Sequence, residues 1–179
     1  MVTKRTANVI VKNQTGGDLL TVHVCHKYSD NYKHQKDFAG ILQNGQSTNE
    51  TMRVEYNTGF GTTGRDWWYV AFTMANGSFY MSDPRNFRGV IDRIENLGIE
   101  ALAQVVENGD GADNVASTIG LAVAGSMMNT ESTAGFKQHI LRAEDAGGNT
   151  EIIITKEQVK FVSRSGTSTT GARRAKISR

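Results

Sequence analysis

The sequence contains little cysteine and little proline. Its 179 residues include one of each, Cys25 and Pro84. A single cysteine excludes a disulfide within this chain and a cysteine-rich metal site. The scarcity of proline, beside 19 glycines, excludes collagen-like and proline-rich designs and indicates a chain with many turns.

The amino-terminal segment lacks the apolar run of a secretory signal peptide. Lys4 and Arg5 are followed only by the short apolar stretch 9–11. We therefore expect a cytoplasmic protein, with secretion by a non-classical route as the alternative.

A strong charge of one sign is also missing. The chain has 20 basic and 18 acidic residues, but from Arg164 onward it has five basic residues and no acid. Residues 1–163 therefore carry 15 bases and 18 acids. This mildly acidic body does not support a nucleic-acid-binding surface. We predict that residues 164–179 form a flexible basic tail.

The first half has the pattern of β-strands, in which short apolar or alternating runs are separated by turns rich in Gly and Asn. The segment Asp66–Met74 is apolar on both faces, as expected of a central strand that is covered on each side. We predict strands at 7–12, 19–26, 51–56, 66–74 and 78–81, with the first two paired as a hairpin.

The pattern becomes helical at Asp83 and Pro84, which suit a helix start, and stays helical to about Met128. From Gly135 it returns to that of strands, predicted at 136–142, 151–155 and 158–163, the last two as a hairpin. These strands are too few to form a stable sheet alone, so we expect them to complete the first one. The predicted fold is mainly β: a single-domain antiparallel β-sandwich over 1–163 with a helical insertion at 84–128.

The histidines and the cysteine do not form a catalytic or metal-binding pattern. His23 and His26 lie three apart on a predicted strand, so their side chains point to opposite faces. Cys25 lies on the His23 side and is interpreted as a small strand residue. We therefore predict no catalytic residue, no metal and no cofactor.

The glycine-rich loop 57–64 and the Arg65–Tyr69 segment RDWWY are the most specific features. The loop precedes a strand and has no Lys-Ser/Thr ending, so it is not a phosphate-binding loop. Its glycines Gly59, Gly61 and Gly64 suggest positive φ angles, and a ligand-contacting loop is the alternative. The strand is either core, with Arg65 and Asp66 paired at its start, or part of a ligand groove.

If the groove exists, aromatic rings would stack on a sugar or lipid headgroup and Arg65 would bind an anionic or hydroxylated group. Residues 26–36 are interpreted as a solvated polar loop, and the alternative is that they form the rim of this groove. The candidate ligand-binding residues are Tyr28, Tyr32, Arg65, Trp67 and Tyr69.

The helical stretch 114–128 has no charged residue. Ala116, Gly120 and Ala124 form a line of small residues that permits close packing. At about 22 Å it is shorter than the ~30 Å hydrocarbon core of a bilayer. It is either buried against the sheet or a partner, or it is a reversible membrane-inserting element.

Five stretches resemble the URD-domain family, named for proteins up-regulated in a long-lived dauer-pathway mutant of a nematode, with fungal members. They are HKYSDNYKHQ (26–35), YNTGFGTTGRDWWYV (56–70), DPRNFRGVID (83–92), FKQHILRAED (136–145) and FVSRSGTSTTG (161–171). The resemblance implies a small β-sandwich loosely linked to stress or lifespan programmes, and no functional residue is carried over from it. A weaker similarity is to aegerolysin- and actinoporin-like sandwiches, which bind membrane lipids or glycans.

The favoured hypothesis is a non-enzymatic binding module for a glycan or a membrane lipid. The alternatives are a membrane-active, pore-forming-like protein that inserts helix 114–128, and a structural or stress-response protein that forms homo-oligomers through its apolar helices. No residue pattern indicates a reaction, so we predict that the protein is not an enzyme.

Overall fold

The structure, a computed structural model, describes residues 1–29, 31–83, 92, 95–96, 112–129 and 132–176. In these ranges the chain is mainly β. The strands are β1 (Thr3–Asn13), β2 (Leu19–Tyr28), β3 (Tyr32–Leu42), β4 (Met52–Thr58), β5 (Asp66–Met74), β6 (Phe79–Asp83), β7 (Lys137–Gln138), β8 (Asn149–Ile154), β9 (Gln158–Ser163) and β10 (Gly166–Arg174). Helix α1 spans Ala112–Asn129, and a 3-10 turn spans Ala143–Asp145.

All these strands belong to one mixed sheet that is nearly closed and barrel-like. Their order is β3-β2-β5-β6-β10-β9-β8-β1-β4, with β7 paired to β5. β1 and β8 are parallel, and the other pairs are antiparallel. The carboxy-terminal strands β8 to β10 thus lie between β6 and β1, which confirms that both halves of the chain build one sheet.

The mainly β class is confirmed, and α1 confirms the carboxy-terminal part of the predicted helical insertion. The rest of that prediction, 84–111, lies outside the described residues except at 92, 95 and 96.

The interior of the sheet is filled by alternate residues, because successive side chains of a strand point to opposite faces. On β5, Trp68, Val70 and Phe72 point inward and are fully buried. The Trp68 ring packs against Phe161 of β9, with 5.8 Å between ring centroids. Truncating an aromatic residue in such a core costs about 3–5 kcal/mol, so these contacts join the two halves of the chain energetically.

Helix α1 covers the outer face of β2 and β5. Val123, Ala124 and Met127 of the helix belong to the same buried cluster as Tyr69 and Ala71 of β5. The central strand is therefore covered on both sides, as its two apolar faces predicted.

The edge strands β3 and β4 approach each other through side chains. Lys36 Nζ lies 2.7 Å from Glu50 Oε2, just before β4. His34 Nε2 lies 3.8 Å from Glu55 Oε2 of β4. Within the described strands no backbone ladder joins β3 to β4, so polar side chains bridge this seam.

The predicted hairpin between the first two strands is wrong. β1 pairs with β4 and β8, whereas β2 pairs with β3 and β5. The Asn13 side-chain amide donates to the carbonyl oxygens of Gly17 and Leu42, both at 2.8 Å. These bonds hold the turn through which the chain passes from β1 to β2, two strands that are separated by the edge strands β4 and β3. By contrast, β8 and β9 form the hairpin predicted for them.

Two polar segments predicted to lie outside the sheet are strands. Most of the predicted loop 26–36 belongs to β2 and β3, and only 29–31 separate them. The predicted flexible tail contains β10, which hydrogen-bonds to β6 and β9 along its two edges. Ladder hydrogen bonds and the β propensity of its threonines hold β10 without an apolar alternation.

Candidate ligand-binding site at the loop end of the sheet

An open groove of about 410 Å³ lies at the end of the sheet where β4 ends and β5 begins, which we call the loop end. One wall is the glycine-rich loop, and the other is the segment 140–144. Arg65 and Arg142 line the groove with exposed side chains, and Ile140 lines it as a partly exposed apolar residue. The groove thus offers two guanidinium groups beside an apolar surface.

The glycine-rich loop is shaped by its backbone. Gly59 and Gly61 have φ angles of +113° and +86°, a region that favours glycine, as predicted. Gly64 does not have a positive φ angle, so the prediction is wrong there. Glycine is required at this position because there is no space for a side chain. A Cβ at Gly64 would collide with the Tyr28 ring. The Tyr28 hydroxyl donates to the Asn57 carbonyl oxygen at 3.2 Å, which ties the loop to β2.

Phe60 stands at the tip of this loop with 94% of its surface exposed. Its neighbours Gly59 and Thr62 line the groove. The Thr62 hydroxyl donates to the Gly59 carbonyl oxygen at 2.7 Å and closes the loop beneath the ring. Phe60 thus places an exposed apolar ring beside the groove and its two guanidinium groups.

A second open cavity, the basic cleft, adjoins the groove. It measures about 520 Å³ and is lined by Lys4, Arg5, Arg53 and Glu55. Lys4 Nζ lies 2.9 Å from Glu55 Oε1, and this hydrogen bond raises the pKa of Lys4 and lowers the pKa of Glu55. Arg5 Nε donates to Thr58 Oγ1 at 2.7 Å. Since Thr58 lines the groove, this bond connects the two cavities.

The predicted ligand-binding residues fall into two groups. Tyr28, Tyr32 and Arg65 lie at the loop end, where Tyr28 is buried and supports the loop and Arg65 is exposed. Trp67 and Tyr69 lie on the outer face of β5 under α1, where Tyr69 is 1% exposed. The structure therefore does not bring the five residues into one surface. Two residues at the groove were not predicted from the sequence. Phe60 could have been found, because it is a lone aromatic residue between two loop glycines. Arg142 could not, because only the fold brings it to the groove.

The face under α1 carries polar groups of β2. His23 and Cys25 point to the helix and His26 points to the interior, as their alternation predicted. Lys27 Nζ donates to the Met127 carbonyl oxygen at 2.7 Å, a favourable place for a cation at the carboxy-terminal end of a helix. Burial raises the pKa of the Cys25 thiol to about 12, so the thiolate needed for nucleophilic attack is scarce at neutral pH.

A buried pair of polar side chains joins β2 to β5. His26 Nε2 lies 2.8 Å from Asp66 Oδ1, and both side chains are buried. The other oxygen, Oδ2, accepts the backbone N–H of Leu141 at 3.0 Å. Asp66 therefore pairs with His26, whereas the Arg65 guanidinium donates to the Gly64 carbonyl oxygen at 3.1 Å. The Leu141 N–H binds the Asp66 side chain and not the backbone of a neighbouring strand, so the predicted strand 136–142 is reduced to β7.

His139 forms a second polar cluster. Its Nδ1 lies 2.9 Å from Ser168 Oγ and its Nε2 lies 3.1 Å from Ser163 Oγ. Burial lowers the pKa of His139, as it does for His23 and His34. The cluster ties the segment after β7 to β9 and β10.

These three histidines predict a loss of stability in mild acid. Their folded pKa values lie below the unfolded value of about 6.5, so the unfolded state binds more protons as the pH falls below that value. We expect the urea midpoint of unfolding to be lower at about pH 5.5 than at about pH 7.5. A midpoint that does not change over this interval would contradict the expectation.

The fold and the groove define the class of this protein: a mainly β protein with a nearly closed sheet that presents a basic, loop-lined groove at one end. The chain belongs to the family described as up-regulated in long-lived daf-2, whose family model matches residues 3–172. A search of the curated proteins found no match. The family was expected from its sequence motifs and is confirmed, whereas the likeness to aegerolysins and actinoporins stays a resemblance.

Among the described residues, no group of three or more His, Cys, Asp and Glu side chains is placed to hold a metal ion. In the same ranges, α1 included, no helix has both the length and the apolar character needed to cross a bilayer.

Proposed function

We propose that this protein is a non-enzymatic binding module that takes the polar headgroup of a glycan or lipid into the groove at its loop end. The observation that carries the proposal is the pair of exposed guanidinium groups, Arg65 and Arg142, in an open groove with Phe60 at its rim. Guanidinium groups bind anionic and hydroxylated groups through paired hydrogen bonds. A ring such as Phe60 offers an apolar face on which a sugar can stack.

The placement of the histidines supports binding over catalysis. His23, His26 and His139 are buried, and each makes hydrogen bonds or ion pairs inside the protein. A general base must come within hydrogen-bond reach of its substrate. In this structure these side chains instead join neighbouring strands, and none of them lines the groove, whose charged lining residues are Arg65, Arg142 and Glu144.

The proposal predicts that Arg65→Gln weakens ligand binding. The experiment screens the full chain against immobilised glycans and lipid headgroups and then measures the affinity of the best ligand for wild type and variant. Loss of a charged hydrogen-bond donor is expected to weaken binding by roughly tenfold to a hundredfold. Lys156→Gln is the matched control, since Lys156 is exposed in the turn between β8 and β9, at the other end of the sheet. Equal affinities of wild type and Arg65→Gln, or no ligand in either screen, would refute the proposal.

A further inference from the structure

Exposed apolar side chains collect at the loop end. Phe60 is 94% exposed, Val2 is 53% exposed, and Ile140 lies across the groove from the Phe60 loop. The backbone of Val2 lies against Gly59, so these residues belong to one rim. Single exposed apolar residues are common on protein surfaces, but a group of them on one rim marks an interaction site.

Positive charge collects around the same rim. The residues that line the groove and the basic cleft include five cations, Lys4, Arg5, Arg53, Arg65 and Arg142, and two carboxylates, Glu55 and Glu144. These linings therefore have a net charge of +3, whereas residues 1–163 as a whole have more acids than bases. The lining of these two cavities is therefore net positive, although the body of the chain is mildly acidic.

From this juxtaposition we infer that the loop end docks on an anionic lipid surface. The inference rests on the proposed function and names the source of the headgroup. Phe60, Val2 and Ile140 would enter the interface of the bilayer, while the cations around them bind phosphate and carboxylate groups of the lipids. The groove between Arg65 and Arg142 would hold one headgroup.

The apolar rim favours a membrane over a soluble phosphate compound. A soluble anion can be bound by the arginines alone and gains nothing from Phe60 in solvent. A bilayer uses both features, since apolar contact and electrostatic attraction add at its surface. This mode of binding also leaves α1 in place, because Val123, Ala124 and Met127 are already buried against the sheet.

Co-sedimentation of the full chain with vesicles tests the inference. The vesicles contain phosphatidylcholine alone, phosphatidylcholine with phosphatidylserine, or phosphatidylcholine with a phosphorylated inositol lipid. We expect binding to both anionic vesicles, little binding to phosphatidylcholine alone, and release at high salt, because salt screens the attraction. Removing one arginine, in Arg65→Gln or Arg142→Gln, should weaken vesicle binding by at least about fivefold, which is the loss expected from its electrostatic attraction alone.

Matched variants separate the loop end from the rest of the surface. Phe60→Ser should lower vesicle binding, whereas Ile41→Ser should leave it unchanged, since Ile41 is 62% exposed near the opposite end of the sheet. Lys156→Gln is the matched control for the arginines. Circular dichroism of each variant shows whether it is folded, so that a loss of binding is attributed to the surface.

A second arm uses soluble inositol hexakisphosphate and phosphoserine. Binding of these compounds without binding to any vesicle overturns the membrane inference but leaves the proposed binding module intact. The inference is also overturned if vesicle binding is the same for wild type, Phe60→Ser and Arg65→Gln. If neither vesicles nor any soluble glycan or phosphate bind, both the inference and the proposed function fail.

Discussion

Replacing Asp66 with alanine should lower the free energy of unfolding by about 3–5 kcal/mol. Asp66 and His26 are fully buried and lie 2.8 Å apart, and Asp66 also accepts the Leu141 N–H. Without the carboxylate, the imidazole and the backbone N–H lose their acceptor in a place that water does not reach. Urea denaturation followed by tryptophan fluorescence measures the change. Trp68 reports on the site, because its ring centroid lies 4.4 Å from that of His26.

Two other substitutions make this prediction specific. Asp66→Asn keeps an oxygen acceptor and should lose less stability than Asp66→Ala, so it also serves if Asp66→Ala does not fold. Glu55→Gln changes an acid at the protein surface and should leave the urea midpoint almost unchanged, because exposed ion pairs contribute little. If Asp66→Ala were within about 1 kcal/mol of wild type, the buried pair would not hold β2, β5 and the segment after β7 together.

The second large effect is expected at Gly120, where α1 rests on β2. A Cβ at Gly120 would collide with the His23 ring, whereas a Cβ at Gly125 would meet nothing within 4 Å. We expect Gly120→Ala to destabilise the protein by about 1–3 kcal/mol through overpacking. Gly125→Ala, on the same helix, should stabilise it by up to about 1 kcal/mol, because alanine favours helix.

The Cys25 thiol shows whether the helix itself has moved. Cys25 Sγ lies 4.0 Å from the Ala124 carbonyl oxygen and is fully buried under α1. A thiol reagent should therefore label Gly120→Ala faster than wild type in native buffer, and Gly125→Ala no faster. If Gly120→Ala lost stability but was labelled at the wild-type rate, the collision would be relieved within the sheet and α1 would stay docked.

The central strand was predictable because its pattern carries two independent signals. Asp66–Met74 is apolar on alternate and on intervening positions, and the only arrangement that buries both sets is a strand covered on each side. The interior takes Trp68 and its partners, and α1 takes Tyr69 and Ala71. The pattern does not show which face of the strand points to the interior of the sheet and which face is covered by the helix. The prediction that placed Tyr69 in a ligand groove therefore concerned a face that the helix occupies.

The polar strands were not predictable in the same way. β3 contains Lys33, His34 and Lys36, and β10 is rich in Ser, Thr and Arg, so neither alternates apolar with polar residues. Their stability comes from hydrogen bonds to strands far away in the sequence, such as β6 for β10. Local periodicity reports the burial of side chains and is silent about backbone pairing between distant segments.

The candidate site was also only partly predictable from local sequence patterns. The glycine-rich loop and Arg65 stand out in the sequence, because glycine clusters and a charged residue before an apolar strand are local features. Arg142, the basic cleft and the apolar rim depend on bringing positions 2–5, 53–65 and 140–147 to one end of the sheet. No local pattern reports that these three segments meet.

The sequence by itself determined the family, the mainly β class, the two-sided central strand and the sharing of one sheet by both halves of the chain. The first three follow from residue patterns or motifs within a short window, where hydrophobic periodicity dictates which side chains are buried. The fourth follows from the number of strands predicted after Gly135, which are too few to form a stable sheet alone. The tertiary structure alone decided the strand order, the placement of α1 over Tyr69 and the gathering of cations around Phe60. These depend on pairing and packing between residues far apart in the chain, such as Lys27 with Met127 and Asn8 with Asn149, and the free energy of such contacts is not encoded in any local window.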